Sequence, residues 1–240
     1  MATPRLWTPE EEDRLRELIH GKTSTPYVKI AGIMNRTTDS IRNKVFTLRK
    51  EGRHEWLKEE RIGFLDLEAS NLKANIGNLI SWAIKPLGVK KVAFDCWTRE
   101  EAIDWDKMDR RIMGTLIEEL NNYDLIVTYY GTGFDIKFMR TRAMILGLPG
   151  FPEFGTLKHF DVYYAVRNKM CLYSNRLAVA TQALGIEGKT PLPASIWGPA
   201  RLGYKKALKE IKVHNVEDVK ILEDLYNEII PYVQITRKSI

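Results

Sequence analysis

Gly63-Phe64-Leu65-Asp66-Leu67-Glu68-Ala69-Ser70-Asn71 is the stretch on which the fold turns. An apolar run that closes on two acids reads as a buried strand beginning near Arg61. Residues two apart on a strand share a face, so Asp66 and Glu68 stand side by side while Leu65 and Leu67 enter the packing. Two like charges this close call for a cation, and an all-oxygen pair suits Mg²⁺ or Mn²⁺. Acidic pairs also occur on solvated strand ends, so the pair gains meaning only with partners elsewhere in the chain.

Downstream, residues 78–86 and 91–97 read as two further strands joined by the turn Pro86-Leu87-Gly88, which predicts an antiparallel meander. An amphipathic helix over 106–122 follows, with Met108, Ile112, Leu116, Ile117 and Leu120 on one side, then a buried strand over 125–129 and a helix over 136–146. A short strand over 160–162, helices over 164–169 and 176–184, a Gly/Pro-rich stretch over 185–203 and a helix over 211–229 stopped by Pro231 complete the chain. This order predicts an α/β fold with a mixed sheet flanked by helices.

Upstream the period is helical. Thr8 caps a helix opened by Pro9 and the acids Glu10, Glu11, Glu12 and Asp13, with Leu15, Leu18 and Ile19 as its stripe and Gly21 at its end. A second helix carries Val28, Ile30, Ala31, Ile33 and Met34 to Asn35-Arg36. Thr37 or Thr38 caps a third with Ile41, Val45 and Leu48, stopped by Gly52. The expected division is a three-helix domain over 1–54, a charged connector over 55–60 and the α/β domain over 61–240. Three helices with a tight turn before a basic third one form a helix-turn-helix arrangement, in which the third helix could enter a DNA major groove.

Leu6-Trp7-Thr8-Pro9-Glu10-Glu11-Glu12-Asp13, Ile30-Ala31, Arg36-Thr37 and Ile41-Arg42-Asn43-Lys44 together resemble the Myb/SANT repeat. Trp7 is the first of that family's spaced tryptophans, read as core; Tyr27 and Val45 or Phe46 stand near the places of the others. The resemblance implies contact with DNA or RNA through Arg42, Lys44 and Arg49, or, for a lone repeat, docking to protein.

The 240 residues are 44% hydrophobic and 28% charged, which is globular composition rather than disordered or fibrous. No apolar run reaches the roughly 18 residues a membrane helix needs, and the acidic, Pro-containing start lacks a signal-peptide core, so a cytoplasmic location without membrane attachment is expected. Cys96 and Cys171 lack zinc or disulfide spacing and read as reduced structural thiols. Lys and Arg total 37 against 31 Asp and Glu, a net +6 that suits a polyanion such as nucleic acid.

Two further segments carry chemistry. After Tyr129-Tyr130, the sequence Gly131-Thr132-Gly133-Phe134-Asp135 turns tightly into a helix and sets Asp135 at its N-terminus, where an N-cap is the plain alternative. In the last helix, His214 and Asp218 of His214-Asn215-Val216-Glu217-Asp218 are four apart and share a face, with Val213, Val216, Val219 and Leu222 as the apolar side.

Asp66-Leu67-Glu68, the aromatic strand, turn and Phe134-Asp135, and His214 to Asp218, taken in this order, resemble the DEDD superfamily of 3′-to-5′ exonucleases, which has an RNase H-like fold. The resemblance spans roughly 61–232. It implies that Asp66, Glu68, Asp135 and Asp218 hold two divalent ions, Mg²⁺ or Mn²⁺, roughly 3.5–4 Å apart, for in-line phosphodiester cleavage at a 3′ end. It further implies that His214 orients and deprotonates the attacking water. One branch of the family places a Tyr four residues before the last Asp and the other a His five before it. Here a His stands at the tyrosine's spacing, taking over its role or stacking near the substrate. Gly131 stands where related enzymes often carry Asn.

Asn71, Leu72 and Tyr130 are implied contacts to the nucleic acid, with Leu72 against the terminal nucleotide. Asp161 beside His159 reads as an outer carboxylate or a helix cap. Lys137, Arg140 and Arg142 read as phosphate contacts or a solvated face, and Trp197 and Tyr204 among Arg201, Lys205 and Lys206 as a stacking surface or a packed loop. The expected activity is a metal-dependent 3′-to-5′ exonuclease on single-stranded or frayed ends, DNA favoured and RNA possible. The rivals are a non-catalytic DNA-binding regulator with an inactive RNase H-like domain, and an endonuclease using the same site. Four carboxylates kept together without a cation would destabilise one another, which weighs against the inactive domain.

Overall fold

The computed structural model describes residues 6–20, 25–50, 60–104, 106–153, 155–188, 191–233 and 238–239. Gly21, Gly52 and the connector at 55–59 lie outside the described residues. The chain divides into two compact units, Met1–Glu60 and Arg61–Ile240.

The first unit holds α1 (Pro9–His20), α2 (Tyr27–Met34) and α3 (Thr38–Lys50). Thr8 and Glu11 cap α1 reciprocally: Thr8 Oγ1 accepts from the Glu11 backbone N–H at 3.3 Å and the Glu11 carboxylate accepts from the Thr8 N–H at 3.2 Å. Asn35, in the left-handed region at φ 49°, closes α2. Leu15, Tyr27, Ile30, Ile41, Val45 and Leu48 form the core, against which Trp7 packs with the Arg36 guanidinium 4.0 Å above its ring.

The second unit is a mixed sheet between helices. Its elements are β1 (Ile62–Ala69), β2 (Leu79–Pro86), β3 (Ala93–Cys96), α4 (Arg99–Ile103), α5 (Arg110–Leu120), β4 (Leu125–Thr128), α6 (Asp135–Leu146), β5 (Lys158–Asp161), α7 (Val162–Lys169), α8 (Leu177–Ala183), α9 (Trp197–Arg201), α10 (Lys205–Ile229) and β6 (Lys238–Ser239). The strand order is β3-β2-β1-β4-β5-β6. β1, β2 and β3 pair antiparallel, as the meander predicts, while β1–β4 and β4–β5 pair parallel. β1 is therefore central, and its alternating side chains feed two cores. Leu65 and Leu67 join Ile112, Leu116, Ile136 and Met139 of α5 and α6 on one face. Phe64 joins Val127, Val219, Leu222 and Tyr226 on the other, under α10. Asp66 and Glu68 share Phe64's face, so the acids of β1 point toward α10.

Several elements depart from the sequence reading. α10 begins at Lys205 rather than 211, α5 at Arg110 rather than 106, and β5 begins two residues earlier and ends one residue earlier than expected. α4 is set by a capping box that the strand-to-helix reading passed over: Thr98 Oγ1 accepts from the Glu101 N–H while the Glu101 carboxylate accepts from the Thr98 N–H. Val213 is exposed. The apolar stripe of α10 instead runs through Ile211, Val219 and Leu222. Both cysteines are free, Cys96 half-buried and Cys171 exposed. Among the described residues no helix is long and apolar enough to cross a membrane.

Candidate active site

β1 and α10 build one half of the site. Asp66 and Glu68 project from β1, and His214 and Asp218 meet them from successive turns of α10. His214 Nε2 stands 3.6 Å from Glu68 Oε1 and 3.7 Å from Asp218 Oδ2. Between them lies Asn215, wholly buried. Its amide donates to the Asp66 backbone carbonyl at 3.1 Å and to Asp66 Oδ2 at 2.5 Å, while its own Oδ1 accepts from the Ser81 hydroxyl at 3.2 Å. A chain of donors thus runs from β2 through α10 to β1 and fixes the direction of one carboxylate. The sequence reading missed Asn215, although its spacing offers a signal: it falls on the stripe Ile211, Asn215, Val219, where a polar residue must find a buried partner.

The turn between β4 and α6 builds the other half. Asp135 opens α6, is buried, and takes a hydrogen bond from the Leu67 backbone N–H, which places it against β1 between Asp66 and Glu68. Its carboxyl is pushed up to about 7, chiefly by burial and further by Asp161. The Asp66 carboxyl is raised well above the ordinary carboxylate range, first by burial and then by Glu68, Asp218 and Asp135; the Asn215 amide opposes this. Asp66 therefore feels each of the other three acids electrostatically.

The turn itself is held by Asp161. One of its oxygens accepts from the Tyr130 N–H at 2.8 Å and the other from the Thr132 N–H at 2.9 Å, while the former also caps α7 through the Tyr163 N–H at 3.1 Å. Asp161 is thus both helix cap and brace of the Asp135 turn. Thr128 Oγ1 accepts from the Gly131 N–H at 3.1 Å and pairs with His159 Nε2 at 2.8 Å. Burial pushes the His159 imidazole down to about 4, with Asp161 opposing, so it sits neutral beneath the turn. A Cβ on residue 131 would stand 2.1 Å from Thr128 Oγ1, which is why glycine replaces the asparagine of the resemblance here.

The remaining predicted residues divide. Asn71 Oδ1 accepts from the Lys73 N–H at 3.0 Å and shapes the loop after β1, and Leu72 is 77% exposed on it. That loop is anchored from beneath by Arg142, which donates to the Ala74 carbonyl at 3.1 Å and clasps buried Asp109 through Nε at 2.9 Å. Arg142 is therefore a buried brace and not a phosphate contact; Lys137 and Arg140 are exposed. Tyr204 is exposed under the Arg99 guanidinium, whereas Trp197 packs against the core.

In the first unit, Arg42 corrects the sequence reading. It is 2% exposed and paired with Asp39 at 3.3 Å, because its place three residues before Val45 turns it toward the core. Lys44 is spent on Glu12 and lies 5.8 Å from the centre of the Trp7 ring. The Arg49 side chain lies outside the described residues. The exposed face of α3 carries Asn43, Phe46 and Thr47.

Among the described residues, no three carboxylate, imidazole or thiol groups already form a metal-ready cluster. The donor set nonetheless fits a hard divalent cation. It consists of oxygen ligands whose burial and mutual repulsion hold Asp66 and Asp135 toward the protonated form, and a cation relieves both.

The fold and the placement of acids on a central strand and its flanking helices define an RNase H-like α/β domain. The profile described as RNase H superfamily matches residues 63–230, and the chain belongs to that superfamily. A family B DNA polymerase from the hyperthermophilic archaeon Pyrobaculum calidifontis superposes with a TM-score of 0.55 at 16% identity, covering 72% of this chain and 25% of the polymerase chain. At that identity the likeness shows the fold. No curated protein sequence matches the chain.

Proposed function

We propose that this chain is a metal-dependent 3′-to-5′ exonuclease of the DEDD type, acting on the unpaired or frayed 3′ end of a nucleic acid, DNA in preference to RNA. The observation that carries the reading is the convergence of Asp66 and Glu68 from β1, Asp135 from the start of α6, and His214 with Asp218 from α10. Asp66, Glu68, Asp135 and Asp218 would hold two Mg²⁺ or Mn²⁺ ions, which when bound supply Lewis acidity and charge neutralisation for phosphodiester hydrolysis.

The protein's own groups do the rest. His214 Nε2, beside Glu68 and Asp218, accepts the proton of the attacking water. The water oxygen bonds to phosphorus, and the bond from phosphorus to the 3′ oxygen breaks. That oxygen takes a proton and stays on the shortened strand, while the released nucleotide keeps the 5′ phosphate. Asn215 keeps the Asp66 carboxylate aimed, and the exposed Leu72 with Asn71 meets the terminal nucleotide. The Myb-like unit holds nucleic acid through the exposed face of α3, where Asn43 offers base-edge hydrogen bonds and Thr47, whose hydroxyl donates to the Asn43 carbonyl at 2.9 Å, offers an acceptor.

Purified protein incubated with 5′-labelled single-stranded DNA and RNA of matched sequence, with Mg²⁺, Mn²⁺ or chelator, tests the reading. A metal-dependent ladder shortening from the 3′ end is expected. Internal fragments would make the protein an endonuclease, and bound but intact strands under every metal condition would make it a non-catalytic binder.

A further inference from the structure

α10 turns two flanks to the sheet. His214 faces Glu68 of β1, whereas Lys212, two residues earlier, points the other way and sets its Nζ 5.0 Å above the Phe94 ring on β3, the strand at the sheet's edge. Lys205, Lys209 and Lys212 recur at the spacing that keeps side chains on one face of a helix, each about one turn from the next. The start of α4 adds Arg99 to this flank. Its guanidinium lies 4.6 Å above the Tyr204 ring, and Gly203 passes so close that a Cβ there would stand 2.4 Å from the Arg99 Cα. All four cations are exposed. Arg99 and Lys205 lie near enough to Glu100 to act on its carboxyl, yet among the described residues none of the four forms an ion pair. Elsewhere in this unit Lys85, Arg111 and Arg142 are each spent on a carboxylate. Here two of the cations rest instead on aromatic rings, which hold a cation in place without neutralising it. Cations gathered without counter-charges repel one another, and an anion laid along them relieves that repulsion.

We propose that this far flank of α10, through Arg99, Lys205, Lys209 and Lys212, is a second nucleic-acid contact, which holds the phosphate backbone of the strand upstream of the 3′ end that reacts at the carboxylate site. The choice of ligand follows from continuity. The same helix carries His214 and Asp218 on its other flank, and Val213, 50% exposed, stands on the ridge between the two. A polyanion seated at the carboxylates reaches the lysines by crossing α10 over that ridge. The helix with its side chains is about 10–12 Å across, so the crossing takes roughly three nucleotides and the contact begins about four nucleotides from the 3′ end. Backbone charge is the same at every step of a strand, so this flank adds affinity without selecting bases. The assignment rests on the nuclease reading for the direction of the strand, while the binding of backbone phosphate to the flank does not.

The test separates the flank from the site. One variant combines Lys205→Gln, Lys209→Gln and Lys212→Gln; a control combines Arg167→Gln and Lys169→Gln, exposed on α7. All five side chains are exposed, and thermal unfolding checks that both variants fold. Full-length protein is titrated in chelator with a single strand of about 20 nucleotides over a range of salt. The triple variant should bind about tenfold or more weakly near 0.1 M salt, and its plot of log affinity against log salt should be shallower by about 2, because each phosphate contact on a single strand contributes about 0.7 to the slope. The control should keep the wild-type slope. In Mn²⁺ the p-nitrophenyl ester of thymidine 5′-phosphate is a substrate too short to reach the flank, so the ratio of strand to ester hydrolysis, at subsaturating strand, should fall about tenfold in the triple variant. A wild-type slope in the triple variant, or the same loss in the control, would overturn the second contact, and 3′ shortening by wild type would leave the nuclease reading standing. A shallower slope in the triple variant alone, with no cleavage by wild type, would keep the contact and overturn the nuclease. Wild type that neither binds nor cleaves strands would overturn both.

Discussion

The two units of this chain bury polar side chains for different ends. In the first, Arg42 disappears beside the core of a small helical bundle and spends its charge on Asp39, three residues away on the same helix. In the second, Asn215 is equally hidden, but its partners are Asp66 and Ser81, brought in from two different strands. His159 and Asp161 likewise reach from β5 to the turn that carries Asp135. In these cases the short-range pair maintains its own element, whereas the long-range contacts hold a group of the candidate site; other long-range pairs, such as Arg142 with Asp109, are braces.

The largest expected effect breaks the second unit's purpose outright. Asp66→Asn should lower strand cleavage about a thousandfold, the scale of several kcal/mol of transition-state stabilisation. Thermal stability in chelator should hold or rise, since the substitution removes a carboxylate that burial and its neighbours already disfavour. Cleavage within tenfold of wild type would place the chemistry elsewhere.

Next in size is a pH effect at His159. Folding lowers its pKa from 6.5 to about 4, so as pH falls through 6.5 the unfolded chain takes up a proton that the folded one refuses. Its contribution to stability is complete above pH 6.5 and is lost progressively down to about pH 4, by up to about 3 kcal/mol. The raised carboxyls of Asp66 and Asp135 act in the opposite sense over the same range, so the imidazole's share is the difference between the denaturant-derived slopes of wild type and His159→Gln, the variant losing less stability, or gaining more, as pH falls. An unchanged slope in the variant would show that the imidazole is not the group responsible.

Two matched substitutions then sharpen the contrast. Asn215→Leu should keep the fold yet reduce cleavage or Mn²⁺ affinity about 10- to 100-fold, as expected when the group orienting a metal ligand is lost. Calorimetric titration with Mn²⁺ and initial rates would show it; wild-type values for both would reduce Asn215 to packing. Arg42→Met, the smallest effect, should alter stability by about 1 kcal/mol or less, because an apolar side chain of similar length fills the place of Arg42 while Asp39, 28% exposed, stays in contact with water. A large loss in denaturant unfolding would mean that the Arg42 charge is needed where it lies beside the core.

What was legible follows from distance along the chain. The meander of β1, β2 and β3 could be read because alternation and turn residues are local signals. The four acids and His214 were singled out by their places on their elements, Asp66 and Glu68 two apart on a strand, Asp135 at a helix start, His214 and Asp218 four apart on a helix, and the family resemblance, not those places alone, joined them into one candidate set. Arg142 was misjudged because the residue that claims it, Asp109, lies on a different element. Arg42 was misjudged although its local signal was present, since its basic character outweighed its place three residues before Val45. The early start of α10 was hidden by the Gly/Pro-rich run before it, and the two-residue β6 exists through its pairing with β5.

The sequence by itself determined the order of elements, the alternation that sets Asp66 and Glu68 on one face, and the inventory of oxygen ligands, because these depend on backbone periods and side-chain chemistry within a few residues. Only the tertiary structure decided that Asn215 aims Asp66, that Asp161 braces the Asp135 turn, and that Tyr130 is forced into the left-handed region with its ring outward. Each of these is settled by which buried donor finds which acceptor. That choice depends on how distant strands and helices pack, and a lone segment contains only one of the two partners.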